Sequence, residues 1–434
     1  KDNGGTPTTG QVLTADGSGE GYWATPAGGG ATDIDGLSDA ITNSSGQTIG
    51  LGTGALSNDD GTTNRNTALG YNALSNVTTG FGNIGIGYQA GDAVTTTSYN
   101  TAIGYDAGTA TTSAESVFVG SFAGFYNNAN YNVFIGHDAA RGNNVTCTGS
   151  GSVAIGHDAL YSFSTGGNNN VIGQSGLGLL TTGSSNNAIG YRSGYNITTG
   201  QSNVAIGSEA GENISTGSYN VFIGQEAGES QAGTKLTGND NVGIGRLALT
   251  NMRGTNQRNT AVGAYALEGF GFDADDNTAV GYGAGNSIST GDNNTCIGYD
   301  AEPSSGTASN EVTLGNASIT SLRCNQTTIS SLSDRRDKTD IEDLPIGLDF
   351  IKSLRPVKFR WDRRDGTMAN VKDAGFIAQE LDEVQQDFNS EEYMKMVLKT
   401  NPEKLEAAPG KLIPVLVKAI QELSQEVERL KEGK

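Results

Sequence analysis

Asn203-Val204-Ala205-Ile206-Gly207-Ser208-Glu209-Ala210-Gly211-Glu212-Asn213-Ile214-Ser215-Thr216-Gly217-Ser218-Tyr219 is one copy of a unit that begins again at once with Asn220-Val221-Phe222-Ile223-Gly224. Outward from this stretch the signature Asn-x-x-Ile-Gly recurs as Asn66–Gly70, Asn83–Gly87, Asn100–Gly104, Asn132–Gly136, Asn277–Gly281 and Asn294–Gly298, with Leu or Val replacing Ile in some copies. Sixteen closing glycines run from Gly52 to Gly315, mostly 16 to 18 residues apart, with longer steps of 20 (Gly136 to Gly156) and 21 (Gly224 to Gly245). A period this short and regular specifies stacked coils, each touching only its neighbours.

Each signature alternates at period two, which is the strand pattern, and none shows helical three-four spacing. Three residues past the glycine a small apolar position returns, as at Ala73, Ala90, Ala210 and Ala284, followed by turn clusters such as Asn196-Ile197-Thr198-Thr199-Gly200. The expected coil is therefore one short strand, a glycine bend, a second short strand and a turn, with the signature Ile, Val or Leu and the later Ala facing inward. Coils spaced ~4.8 Å apart make sixteen copies a rod about 70–75 Å long. So thin a core needs stacking neighbours and is expected to need other chains.

The formal net charge is −20, and all but 5 of the 64 glycines precede residue 333. An acidic, glycine-rich shaft excludes nucleic acid and anionic lipid as partners, because phosphate binding needs the opposite sign. No apolar run approaches the ~20 residues of a membrane span, so no membrane insertion is expected. Cys147, Cys296 and Cys324 form no CxxC and read as incidental thiols.

The chain divides into a leader and linker at 1–45, a repeat array at 46–318, a connecting stalk at 319–332 and a charged, helix-forming region at 333–434. In the leader, residues 10–19 and 22–24 read as a short β motif. Helices are expected near 344–353, 376–387, 390–399 and 412–431. In the last, Ile413, Leu416, Ile420, Leu423, Val427 and Leu430 alternate in three-four steps, a coiled-coil seam. The fold class is thus mainly β: a stacked β-roll or β-solenoid shaft followed by a small α-rich (α+β) domain ending in a coiled coil.

The repeats resemble the β-roll heads of trimeric adhesins of the YadA type, with a longer unit, and the leader phrase GQVLTADGSG…YW is similar to segments of phage tail fibres. Ser333-Asp334-Arg335-Arg336-Asp337-Lys338-Thr339-Asp340-Ile341 resembles the opening motif of the intramolecular chaperone domain of peptidase family S74, with Asp337 where many members carry Leu. Leu354–Trp361 (LRPVKFRW) and Gly375–Leu381 (GFIAQEL) are similar to two further blocks of that family. The resemblance implies a homotrimeric tail fibre or spike of a virion, made in the host cytoplasm. Its C-terminal domain would guide trimerisation and register, then cut itself off at Leu332–Ser333. It implies Ser333 as nucleophile and Lys338 as base, with no cofactor and no metal. Implied partners are two more copies of the chain, a host cell-surface glycan or protein receptor, and other tail proteins through the N-terminus. The chemistry asks that lysine be neutral, a state that burial favours.

Other constellations read as products of the repeat. Gly80–Gly85 fits GxGxxG, but no helix follows. His137 and His157 share one repeat position and read as solvated side chains. The carboxylates at Asp106, Asp138, Asp158, Glu209, Glu226 and Asp300 read as a solvated acidic stripe. Tyrosines after the glycine, from Tyr71 to Tyr299, read as a ladder joining coils more readily than as a sugar platform. The competing functions are a polysaccharide-degrading spike, which needs a paired-carboxylate groove, and a bacterial trimeric surface adhesin.

Overall fold

The computed structural model describes residues 12–15, 21–24, 40–43, 46–62, 64–143, 146–229, 234–269, 271, 274–325, 331–364 and 370–433. Strands β1 (Val12–Ala15) and β2 (Gly21–Ala24) pair antiparallel, with Leu13 opposite Trp23. Strand β3 (Ala40–Asn43) then pairs antiparallel with β4 (Thr48–Leu51) and covers the first edge of the shaft.

From β4 onward the chain climbs one three-residue strand per repeat, through β5 (Thr67–Leu69) to β19 (Val312–Leu314), each parallel to the one before. The register is the repeat itself. In β13 (Val204–Ile206) and β14 (Val221–Ile223), Val204 lies beside Val221, Ala205 beside Phe222 and Ile206 beside Ile223. The shaft is a β-solenoid of sixteen strands. Among the described residues β19 pairs only with β18 (Thr295–Ile297), so the far edge ends in a strand whose Val312 is 72% exposed.

The phase of the alternation differs from expectation. The middle residue of each strand faces inward (Ala68, Ala102, Phe118, Val171, Ala205, Cys296), while the signature Leu69, Ile135, Ile172, Ile189, Val280 and Ile297 lie on the outer surface. The reason is the signature asparagine. Its side chain is buried, and period-two geometry then turns the next residue out, the second in and the Ile out. The interior is filled instead by the strand centre, the Ala three residues past the glycine, and turn residues such as Val77, Val94, Ile197, Ile214 and Ile288.

A second strand per coil is likewise absent from most of the described shaft. That side alternates positive and negative φ (Asn72 and Leu74, Arg192 and Gly194, Glu209 and Gly211 all positive), a turn-like path whose N–H groups still bond across coils, as Leu177 N to Ser193 O at 3.0 Å. Isolated bridges such as Asn127 to Cys147 are the exceptions.

Phe118 and Phe222 fit because glycine faces them. A Cβ at Gly124 would lie 2.3 Å from the Phe118 ring, and one at Gly228 2.4 Å from Phe222. Each of these glycines lies in the same coil as its ring, so the coil makes room for its own phenylalanine.

Beyond the shaft, α1 (Leu348–Ser353), α2 (Ala378–Asp387) and α4 (Leu412–Glu432) fall close to the expected helices. The expected helix at 390–399 stops early. There α3 (Glu391–Met394) ends on Lys395 at φ 45°, and β22 (Val397–Leu398) pairs with β23 (Glu406–Ala407). Strands β20 (Val357–Arg360) and β21 (Lys372–Gly375) form a hairpin. Phe350, Leu381, Met396, Leu412 and Val415 make the core of this region. Helix α4 thus spends one face on its own core, while Ile413, Leu416, Ile420, Leu423, Val427 and Leu430 are exposed along the other. Among the described residues no helix is long and apolar enough to cross a membrane.

Candidate functional site

Leu332 is 82% exposed where the chain reaches Ser333. A single tight turn follows. Asp334 caps the 3-10 turn Arg335–Asp337 by accepting the Arg336 N–H at 2.8 Å, and its carboxylate also pairs with the Arg336 guanidinium at 2.6 Å. That guanidinium holds the Asp334 carboxyl below the usual range. The Lys338 N–H closes the turn on Arg335 O at 3.2 Å. The result brings the Lys338 side chain back over five residues, and its Nζ donates to Ser333 Oγ at 2.6 Å.

The geometry therefore joins the two residues singled out from sequence and gives Asp334 the role of shaping their loop. In this contact the amine is the donor and the hydroxyl the acceptor. Attack requires the proton to move the other way, from hydroxyl to a neutral amine, and desolvation favours that neutral form. Both Ser333 and Lys338 are exposed in the single chain.

The aromatic stripe is a ladder. Tyr71, Tyr88 and Tyr105 stack at centroid separations of 5.3 and 5.0 Å with planes 11° and 9° apart, and Tyr282 stacks on Tyr299 at 5.6 Å. The inner faces of each stack are occupied by one another, and only the end rings Tyr71 and Tyr299 have a single ring partner each. Of the carboxylates read as a solvated stripe, Asp106 and Asp138 are buried, while Glu209 lies with Glu212 and Glu229, their carboxylate oxygens within 4.8 Å of one another and Glu212 held by Arg192. Burial and then Glu226, Glu209 and Glu212 raise the Glu229 carboxyl. The glycine motif at Gly80–Gly85 runs from a turn into β6 (Ile84–Ile86), with no helix to receive a phosphate.

The signature asparagine carries a role that the repeat pattern alone did not reveal. Asn66, Asn83, Asn100, Asn169, Asn186, Asn203, Asn220, Asn241, Asn259, Asn277 and Asn294 are all buried. Each Oδ1 accepts the backbone N–H of the next rung, as Asn186 from Asn203 at 3.0 Å and Asn277 from Asn294 at 3.0 Å. Ser116 and Ser152 hold the rung where asparagine is missing, accepting from Asn132 at 3.2 Å and Asn169 at 3.1 Å. The signal was there in the recurrence of a polar residue as the repeat's first letter, since an inward polar side chain must find partners.

No curated protein and no solved structure matches the chain. Residues 333–390, which open on Ser333 and run from the Ser–Lys turn through α1, the β20–β21 hairpin and α2, match the chaperone of endosialidase family, peptidase S74.

Proposed function

We propose that the chain is the shaft of a phage tail fibre or spike that attaches to a host surface as a homotrimer. Its C-terminal domain aligns three chains and then releases itself at Leu332–Ser333. The carrying observation is the Lys338 Nζ to Ser333 Oγ contact at the first residue of the segment similar to the S74 chaperones, directly behind a sixteen-strand solenoid. The divisions at residues 45, 318 and 332 belong to the same proposal.

In the proposed reaction Ser333 Oγ adds to the Leu332 carbonyl as Lys338 accepts its proton. The amide nitrogen of Ser333 then leaves with that proton, and water cleaves the ester so formed. Two features support assembly: the outward row of Ile, Val and Leu along the shaft, and the exposed seam of α4. Three α4 helices packed on that seam would bury apolar surface that one chain leaves in water. Contacts from neighbouring copies would also supply the desolvation that the dyad lacks alone.

The test is the mass of the purified chain under denaturing conditions beside its native mass. Expected are fragments 1–332 and 333–434 and a native particle of three chains, with Ser333→Ala and Lys338→Ala each leaving the 44.7 kDa chain intact yet trimeric. A stable monomer overturns the assembly reading, and an uncut wild-type chain overturns the cleavage reading. Omitting 333–434 from expression is expected to give insoluble shaft; soluble trimer from that truncation removes the chaperone role. An assay on host capsule or lipopolysaccharide separates attachment from glycan cleavage.

A further inference from the structure

The chain has 2 histidines, and the solenoid stacks them. His137 and His157 follow the closing glycines of consecutive coils, and their rings lie 5.1 Å apart with planes 8° from parallel. Each has a carboxylate at its side. His137 Nδ1 is 3.1 Å from Asp138, and His157 Nδ1 is 2.9 Å from Asp158. One nitrogen of each ring and a carboxylate oxygen of Asp158 lie within 4.8 Å of one another.

From this we infer that His137, His157 and Asp158 form a binding site for a borderline divalent transition metal such as Zn2+, clamped between two coils of the shaft. Two nitrogens and one oxygen are a donor set that suits Zn2+ and its neighbours, whereas Ca2+ and Mg2+ take oxygen alone. With metal–ligand distances of ~2.0–2.2 Å, two ligand atoms of one tetrahedral ion stand about 3.3–3.6 Å apart. The spread, within 4.8 Å, therefore needs to close by up to about 1.5 Å, together with a turn of the rings away from parallel so that their lone pairs converge. Both imidazoles are about half exposed, so rotation meets little packing. A fourth position is left for water.

The surroundings fit the same reading. Asp138 stands beside His137 Nδ1 as an outer carboxylate, the arrangement that fixes a ligand imidazole's tautomer and orientation. Asp138 is itself steadied by Arg141 at 3.3 Å, and Arg141 also lies over the Phe122 ring at 4.7 Å. With both imidazoles neutral, two aspartates and one arginine leave the cluster with a net negative charge. The location matters as well. The coil from Gly136 to Gly156 is one of the two long ones, and Ser152 replaces the ladder asparagine just before His157. A cation bound there would tie two coils together where the regular bonding is altered.

The experiment titrates the full chain with Zn2+ alone and with Co2+ alone, following heat of binding, thermal unfolding and the visible absorption of Co2+. Expected are one ion per chain, a rise in unfolding temperature on Zn2+ addition, and at least a tenfold loss of affinity in His137→Ala, His157→Ala and Asp158→Asn. In chelator these variants are expected to melt like wild type, because the side chains are on the surface. Absence of saturable Zn2+ binding overturns the site. So does binding undiminished by either histidine substitution, which would place the ion elsewhere, for instance at Glu209, Glu212 and Glu229. Neither readout depends on cleavage at Leu332–Ser333 or on trimer formation.

Discussion

Asn203 Oδ1 accepts both the backbone N–H of Asn220 at 3.0 Å and its side-chain Nδ2 at 3.1 Å, while Asn203 Nδ2 donates to Asn186 Oδ1 and to Gly217 O. One side chain thus joins three coils. Replacing Asn203 by Ala strands buried partners on both sides and is expected to cost about 3 kcal/mol. Asn203→Ser, which copies the rungs at Ser116 and Ser152, is expected to cost about 1 kcal/mol. Hydrogen exchange at the Asn220 amide is the local readout, since coils in an array can open without the whole unfolding. Equal protection in the Ala and Ser variants would show that the ladder contributes nothing specific.

The closing glycine Gly190 should be far less replaceable than Gly254, whose surroundings are open. Gly190 has φ +134°, and a Cβ there would sit 2.4 Å from Gly207 O in the next coil. Gly254 has φ +53° with nothing within 4 Å of its would-be Cβ. Gly190→Ala is expected to lose more than about 3 kcal/mol or to abolish soluble expression, through clash and a φ region that only glycine occupies. Gly254→Ala should cost about 1 kcal/mol. Urea titration of both variants decides the matter.

Thiol reactivity should divide the cysteines by burial. Burial pushes the Cys147 thiol up to about 12 and, with Glu302 and Glu311 nearby, the Cys296 thiol up to about 11; Cys324 is exposed. Because the thiolate is the reactive form, alkylation of native protein at pH 8 is expected to modify Cys324 alone. Modification of all three should follow denaturation. Mass spectrometry of the labelled peptides reports the order.

The two faces of α4 should fail in different ways. Val415 is fully buried against the domain core and Ile420 is 66% exposed on the seam. Val415→Asp is expected to unfold the C-terminal region, lowering helical circular dichroism. Ile420→Asp should retain that signal and dissociate the proposed trimer in sedimentation velocity. A trimer that survives Ile420→Asp would remove the seam from the interface.

The shaft was legible because a repeat imposes its own register, and every strand lies where a signature copy stands. What the repeat concealed was direction. Ile206 is the largest apolar residue of its signature and by hydrophobicity belongs inside, yet Asn203 takes the inward phase and Ile206 turns outward. Ile197 looked like part of a polar turn and is wholly buried. The long helix α4 declared both its ends by its spacing, whereas α3 was expected at 390–399 and its early end was not, because four residues carry no full period. Ser333 and Lys338 were legible as a pair through family resemblance. The capping bond from Arg336 to Asp334 that brings them together has no signature of its own at that spacing.

The two ends of the solenoid are unequal. β3 runs antiparallel along the first coil and closes that edge, but β19 offers its outer row of backbone groups to no strand among the described residues. Near that edge the C-terminal region reaches back, with Arg363 donating to Ala317 O at 3.1 Å and Asn401 to Ser304 O at 3.0 Å. A bare strand edge is a template onto which any extended chain can add. Cleavage after Leu332 would sever the covalent tether that keeps this cover in place. In the proposed fibre the edge so bared would be able to capture a strand from whatever it meets first.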